Sequence, residues 1–428
     1  MSIPTKEIQL PPLFEKEDPE HYLQALVSFI KPYQWLINVH VVDFITHQQW
    51  EQLDPEWRTI FFAEDHDEDD EDAWFSSVID LVAEDSKCYS LVEAKTDRYQ
   101  VELMSAVIHT VAEKHGISSV MDLGAGQGYL SRALAFQHDF KVLAVDMSEI
   151  QTRGAQKFDK KASRLINKSN SDEHLAKLHH VTEKVTPENV SHILRKWGSA
   201  EEGEEKWLVC GLHACGDLSA MTMRLFAESQ ITCLVNVGCC YHYLSEEGDS
   251  AGFPLSRMLR ANDYRMKTTA RVLACQSPAR WAIEKKESLK SFEQHFFKSL
   301  LQHILVEKGL ATPSSPLVVG KVNKKKDFAS YVSAALKRLN LPPDTIPLDE
   351  AEDYYRTMKT KGIDKQLIIV WTLRALLAPV LESIILVDRW LYLKEAVAAN
   401  PSPNQGVWMW PLFDPSTSPR NVVFVASK

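Results

Sequence analysis

The chain has 428 residues, 45% of them hydrophobic and 25% charged, which is long and apolar enough for one large or two to three ordinary domains. A net charge of −10 excludes a tight non-specific grip on phosphate backbones unless a local basic patch supplies it. Seven unevenly spaced cysteines exclude a disulfide framework and point to reduced thiols in the cytoplasm or nucleus, and the first twenty residues carry no signal-peptide pattern.

Residues 1–15 read as a loose arm. Asp18-Pro19-Glu20 is a helix start, with a capping carboxylate and proline in the first turn, and Tyr22, Leu23, Leu26, Val27, Phe29 and Ile30 give that helix an apolar face up to Pro32. A second helix is expected over 42–52, and the same device recurs at Asp54-Pro55-Glu56. The run EDHDEDDED, 64–72, repels itself and reads as an exposed acidic linker within a helical N-terminal region, 1–95; its functional alternative is a docking tail for a basic partner. Val101, Leu103, Met104, Val107, Ile108 and Val111 then mark an amphipathic helix over 99–115, ended by Gly116.

Val120, Met121 and Leu123 read as a buried strand, followed by Gly124, Gly126 and Gly128 and then a helix from Tyr129. A strand that turns on glycines into a helix offers bare backbone N–H groups and a positive helix end to a ligand. Dinucleotide folds use G-x-G-x-x-G; here Tyr129 stands where the third glycine of that pattern would fall. A second strand, Val142–Val145, ends in Asp146, 18 residues after Gly128, where an acid can accept both hydroxyls of a ribose. The G-x-G-x-G form preceded by Asp122 resembles the S-adenosylmethionine loop of class I methyltransferases. That resemblance implies cofactor roles for Gly124, Gly126, Gly128 and Asp146; Asp122, Gln127, Met147 and His213 are the further candidate cofactor-binding residues. Asp122 is expected either to face the methionine ammonium or to cap the helix start structurally.

The basic stretch Lys157, Lys160, Lys161, Arg164, Lys168 reads as a solvated helix face. His179–Thr182, Trp207–Leu212 and Ile231–Val237 are the third, fourth and fifth strands, and their alternation with helices implies a doubly wound, mostly parallel sheet. Residues 246–364 break the alternation and read as a helical insertion or lid, with Phe292, Phe296, Leu300 and Ile304 on one helix and Phe328, Tyr331, Val332, Ala335 and Leu339 on another; Lys321 and Lys324–Lys326 form its basic cluster. The apolar stretch 366–393 is interrupted by Arg374, Glu382, Asp388 and Arg389 and reads as a core helix, so no integral membrane association is expected. VWMWPLF (407–413) and NVVFVAS (421–427) form a closing hairpin. The core is then discontinuous, 96–245 plus 365–428: a class I, Rossmann-like α/β fold with seven strands, the last antiparallel.

Two unusual runs follow strands four and five, GLHACGDLS (211–219) and NVGCCYHYLS (236–245). In a doubly wound sheet the carboxyl ends of the strands border the ligand crevice, so His213, Asp217, Cys239 and Tyr241 are the candidate catalytic residues of an acceptor pocket. His213 or Asp217 can take a proton from the acceptor. Two other readings stand beside this one. His213, Cys215, Cys239, Cys240 and His242 offer metal-type donors, although neither spacing is a standard zinc pattern and no metal is assigned; or the cysteines are small buried hydrophobes.

With DLGAGQGYLS, VLAVD, GLHACGDLS, NVGCCYHYLS and PLFDPSTSPRNVVFVAS in hand, the chain resembles the methyltransferase-like protein 25 family, in its branch named for a ribosomal RNA adenine dimethylase domain. The resemblance spans roughly 95–258 and 370–428. The H-x-C-G and C-C-x-H blocks also look like those of a eukaryotic tRNA 2′-O-methyltransferase family. What this implies is an S-adenosylmethionine-dependent methyltransferase with a protein, RNA or small-molecule acceptor. Adenine dimethylases carry an Asn-Leu-Pro-Tyr-like motif after strand four, where this chain has Leu212-His213-Ala214-Cys215. A Lys-Lys pair of the family is replaced by Ala94-Lys95-Thr96-Asp97. From a different class, the chain could be an inactive cofactor-binding scaffold working through its acidic loop.

Overall fold

Seven strands, β1 (Ser119–Leu123), β2 (Lys141–Asp146), β3 (Leu178–Thr182), β4 (Trp207–Ala214), β5 (Cys233–Gly238), β6 (Gly406–Pro411) and β7 (Val422–Ser427), form one sheet in the order β3-β2-β1-β4-β5-β7-β6. Strands β1 to β5 pair in parallel, and β7 runs antiparallel between β5 and β6. Every residue of β1 and of β5 is buried, as strands covered on both faces require. The strand order reverses between β1 and β4, and a ligand crevice opens at such a reversal. The computed structural model describes residues 2–62, 74, 75, 78, 96–165, 176–197, 205–320, 322–323, 325–414 and 418–428. The acidic run 64–72, Ala94 and Lys95, Lys168, Lys321 and Lys324 lie outside the described residues.

The chain divides into two compact units. The first is Met1–Ile30, Tyr89–Cys275 and Pro379–Lys428, and it holds the sheet. Its helices include α1 (Pro19–Ile30), α2 (Thr96–His115), α3 (Tyr129–Gln137), α4 (Glu149–Leu165), α5 (Pro187–Trp197), α6 (Asp217–Glu228) and α7 (Ala378–Ala398). Met104, Val107, Ile108 and Val111 of α2 bury against Val120, Val142, Leu208, Val235 and Val425 of the sheet, which is the apolar face the periodicity predicts. Helix α6 packs on β4 and β5.

The second unit is Lys31–Cys88 and Gln276–Ala378. Phe296, Phe297, Leu300 and Ile304 of the helix Lys285–Glu307 bury against Phe328, Tyr331 and Val332 of the helix Phe328–Leu339. Asp327 caps the latter, accepting from the Ser330 amide at 2.7 Å. Near its start, the backbone of Lys325 exchanges two hydrogen bonds with the Gln294 side chain.

Three expectations need correction. The arm is not loose around Glu7: its carbonyl accepts from the Met409 amide at 2.8 Å and its carboxylate from the Val407 amide at 3.0 Å, because the edge strand β6 has an open row of backbone groups to satisfy. No α-helix spans 42–52. Two short 3₁₀ turns, Val41–Asp43 and Gln49–Gln52, are separated by Gln48 at φ 48°. Phe44 and Trp50, both buried, would stand about 120° apart on a helix, wider than one buried stripe comfortably takes. The apolar stretch 366–393 is two helices, Ile363–Ala375 and α7, because Pro379 lacks an N–H and crowds the carbonyl four residues earlier. The stretch Ile363–Ala398 is long and apolar enough to cross a membrane, yet 61% of its most apolar part is buried in the protein, and Asp388 and Arg389 are 0% and 1% exposed.

Candidate active site

The glycine loop sits at the carboxyl end of β1. Gly124 and Ala125 both donate to the Val145 carbonyl of β2, at 2.8 and 3.1 Å, which folds the loop over the neighbouring strand. Gly124, Gly126 and Gly128 all have positive φ (76°, 54° and 71°), a region that side chains with a Cβ disfavour. At Gly124 an added Cβ would also stand 2.5 Å from Leu218 Cδ2. At Gly126 it would meet nothing within 4 Å, so the backbone there borders open space.

Asp146 closes the other side. Its Oδ2 accepts from the Gly126 amide at 3.0 Å and its Oδ1 from the Ser148 amide at 2.8 Å. Each carboxylate oxygen retains further acceptor capacity, enough for a pair of vicinal hydroxyls. Met147 and Ile150 beside it expose 70% and 83% of their surface, an apolar wall next to the acid. A cradle of bare backbone, a half-buried carboxylate and an adjacent apolar wall fits a nucleoside. Gln127 turns outward from the loop to hydrogen-bond Gln151, and its side chain fills the space above Gly154.

Asp122 is 2% exposed, and its carboxylate is already engaged: Ser131 Oγ donates to Oδ2 at 2.6 Å, and Cys210 Sγ lies 3.9 Å from Oδ1. These contacts join β1 to α3 and β4. Burial pushes its carboxyl up to about 6, with the Ser131 hydrogen bond opposing the shift. The folded state therefore holds the proton more tightly than the unfolded one, so stability falls as pH rises from about 4 through about 6, by roughly 3 kcal/mol in all. An Asp122→Asn chain keeps the acceptor for Ser131 and removes that titration. Its stability relative to the natural chain is expected to improve by about 2 kcal/mol between pH 4.5 and pH 7.5, read from urea unfolding. An equal difference at both pH values would remove the buried ionisation.

The second cluster lies at the ends of β4 and β5. The register slips between Leu212 and Ala214, so that His213 bulges out at φ 59° and is exposed. Non-glycine residues in this region are uncommon and collect at functional sites. Gly216, at φ 52°, allows the chain to turn into α6; a Cβ there would come within 2.7 Å of Tyr243. Asp217 Oδ1 accepts from the Ser245 amide at 2.8 Å, tying the two runs together. Cys215 is exposed, Cys239 and Cys240 are half-buried, and their three sulfurs come together. His242 Nδ1 lies 3.5 Å from Cys275 Sγ, and its ring stands 4.0 Å from that of Tyr243.

Tyr241 does not join this mouth. It is 1% exposed and its hydroxyl donates to Glu382 Oε1 at 3.0 Å. Burial, followed by the Glu382 charge, raises its phenol well above the ordinary value, which removes it from proton transfer near neutral pH. Two cations stand against its ring, Arg389 at 5.4 Å and Arg420 at 5.7 Å, and Arg420 also donates to Glu382 Oε2 at 2.7 Å. The side chain positions the run 239–245 from beneath.

Two sets of residues carried no sequence signal. Arg132 of α3 donates to the Gln127 carbonyl at 2.8 Å and to Asp159 Oδ1 at 2.8 Å, while His180 Nε2 meets Asp159 Oδ2 at 2.6 Å. This triad holds the loop through the Gln127 carbonyl, and an arginine four residues past the last glycine of the loop was its one available hint. The other set is Glu382, Arg389 and Arg420 around Tyr241; the first two were visible only as charges interrupting an apolar stretch, and Arg420 only as part of the closing hairpin.

A family model described as a methyltransferase domain matches residues 97–247, which include the loop, Asp146 and both post-strand runs. The chain is 24% identical to the human probable methyltransferase-like protein 25 over 81% of its own length and 76% of that protein's. It is 32% identical to the mouse protein of the same name, over 53% of its own length and 38% of the relative's. Among solved structures, the plantazolicin methyltransferase BpumL with a desmethyl analog and SAH covers 76% of this chain and 94% of its own at 14% identity, with a TM-score of 0.22. Coclaurine N-methyltransferase bound to N-methylheliamine and SAH covers 95% and 100% at 12% identity, with a TM-score of 0.23; likeness at this level carries no structural argument. The family match and the geometry of the loop and sheet agree: residues 97–247 carry a class I methyltransferase domain that uses S-adenosylmethionine, and the chain is similar to methyltransferase-like protein 25.

Proposed function

We propose that the chain methylates a nucleophile presented by a protein at the ends of β4 and β5, with His213 taking the acceptor's proton. One observation carries this reading: the bulge that turns His213 out to solvent at a strand end bordering the ligand crevice. Gly124, Gly126, Gly128 and Asp146 would hold the cofactor, with Gln127 and Met147 bordering it. S-adenosylmethionine, when bound, supplies an electrophilic methyl group on a sulfonium. Asp217 and Tyr241 act as positioning residues, because each is committed to holding the second run. The net charge of −10 favours a protein over RNA as acceptor, since phosphate backbones are repelled. The exposed thiol of Cys215 favours a reducing compartment, cytoplasm or nucleus.

The test is transfer of a labelled methyl group into a cell extract, followed by protease or nuclease. Protease-sensitive, nuclease-resistant label is expected. Label removed by nuclease would move the acceptor to RNA, and label confined to the small-molecule fraction would exclude both macromolecules. No label in any fraction, with cofactor still bound, would favour an inactive scaffold.

A further inference from the structure

Cys215, Cys239 and Cys240 meet sulfur to sulfur. The separations are 3.2 Å (215–239), 3.3 Å (215–240) and 3.4 Å (239–240), closer than the about 3.5–4.0 Å at which unbonded carbon atoms rest. The fold creates this convergence. Pairing of Ala214 with Gly238 sets Cys215 and Cys239 at the same level past two adjacent strands, and the Cys239 amide donates to the Ala214 carbonyl at 3.4 Å. Neighbouring residues of an extended chain point to opposite faces, but Cys240 leaves that conformation (φ 4°, ψ 60°), so both thiols of the pair reach one point.

A second, independent feature faces this cluster. Arg389 is 1% exposed, and its Nε and Nη1 have no hydrogen-bond partner among the described residues. Its guanidinium abuts Gly238, next to Cys239, and lies 5.4 Å from the Tyr241 ring; the charged groups around it are Tyr241, Asp388, Cys239 and Asp217. A buried cation with unpaired donors calls for an anion beside it. Asp388, the adjacent carboxylate, accepts from the Leu255 and Ser256 amides and the Ser256 hydroxyl.

We propose that Cys215, Cys239 and Cys240 bind one zinc ion as a three-thiolate site with an open fourth position, its charge balanced by Arg389. Soft thiolates select ions of this class. With ordinary zinc–thiolate bonds of about 2.3 Å, the ion sits about 1.3 Å out of the plane of the three sulfurs, leaving one face free. Three thiolates leave one net negative charge on a divalent ion and two on a monovalent one, so a divalent ion puts less negative charge beside a guanidinium that Asp388 also faces. Among the described residues, no further histidine, cysteine or carboxylate donor joins the three within 4.8 Å. The sequence cluster is therefore narrowed: His213 and His242 are outside the ligand set, and the fourth position falls to water or an incoming donor. Without metal, burial raises the thiols of Cys215 and Cys239, so binding releases their protons. The site does not depend on the acceptor reading, since none of its evidence concerns methyl transfer.

The test uses the full chain, purified under reducing conditions without chelator. Elemental analysis is expected to find about one zinc per chain, and cobalt added to the stripped chain is expected to give a thiolate charge-transfer band saturating at one equivalent. Cys215→Ser should weaken cobalt binding about 100-fold. Arg389→Met, which replaces the buried cation by an apolar side chain, should fold and weaken it about tenfold. Absence of zinc together with absence of the cobalt band in the natural chain overturns the site, whether or not the variants fold. So does a Cys215–Cys239 disulfide in chain handled without oxygen.

Discussion

An Asp146→Ala chain is expected to bind S-adenosylhomocysteine at least about 100-fold more weakly than the natural chain, measured by calorimetry. The carboxylate is a charged acceptor bonded to the loop with capacity left over, and hydrogen bonds to a charged group contribute about 1.5–3 kcal/mol each. Two ribose hydroxyls lost together account for the factor. The change also strips partners from the Gly126 and Ser148 amides, so a stability loss of about 1–2 kcal/mol should accompany it. Asp146→Asn separates the two effects, since its amide oxygen still accepts from one backbone N–H while the charge is gone. It should recover much of the stability and little of the affinity. Unchanged affinity in the alanine chain would mean that the sugar is held elsewhere.

The second large effect concerns His213. A His213→Asn chain is expected to transfer methyl groups at least about 100-fold more slowly at saturating cofactor, the lower end of what general-base catalysis contributes. Asparagine is chosen because it tolerates the left-handed backbone that His213 adopts at φ 59°, so the bulge and the strand pairing around it should survive. Thermal unfolding should therefore shift by no more than a few degrees, and cofactor affinity should stay close to that of the natural chain. A slow enzyme with normal folding and normal cofactor binding assigns the loss to the transfer step. Full activity would make the exposed imidazole a bystander and direct attention to an acceptor that arrives already deprotonated.

These two experiments rest on parts of the molecule that were unequally visible beforehand. Asp146 stood at the end of an apolar strand at a fixed distance from three alternating glycines, and the structure hydrogen-bonds it to the middle one. His213 was visible as a residue type after a strand, but its bulge was not, since register belongs to a pair of strands. Tyr241 shows the opposite outcome. A tyrosine in an unusual run invited a chemical role, yet Glu382, 141 residues away, takes its hydroxyl and two arginines stand against its ring. The helix 42–52 was lost for a related reason: Phe44 and Trp50 both had to be buried, and the chain turned on Gln48 to do so.

What the sequence by itself determined is the unit of strand, glycine loop, helix, strand and acid, together with the alternation that makes a parallel sheet. Those features arise from backbone preference and burial period, which neighbours along the chain decide among themselves. Only the tertiary structure decided that Cys215 meets Cys239 and Cys240, that two Arg389 donors are left without hydrogen bonds beside Gly238, and that Asp159 holds Arg132 onto the loop. Each of these depends on which polar groups are enclosed together away from water, and that enclosure exists only once distant segments have packed.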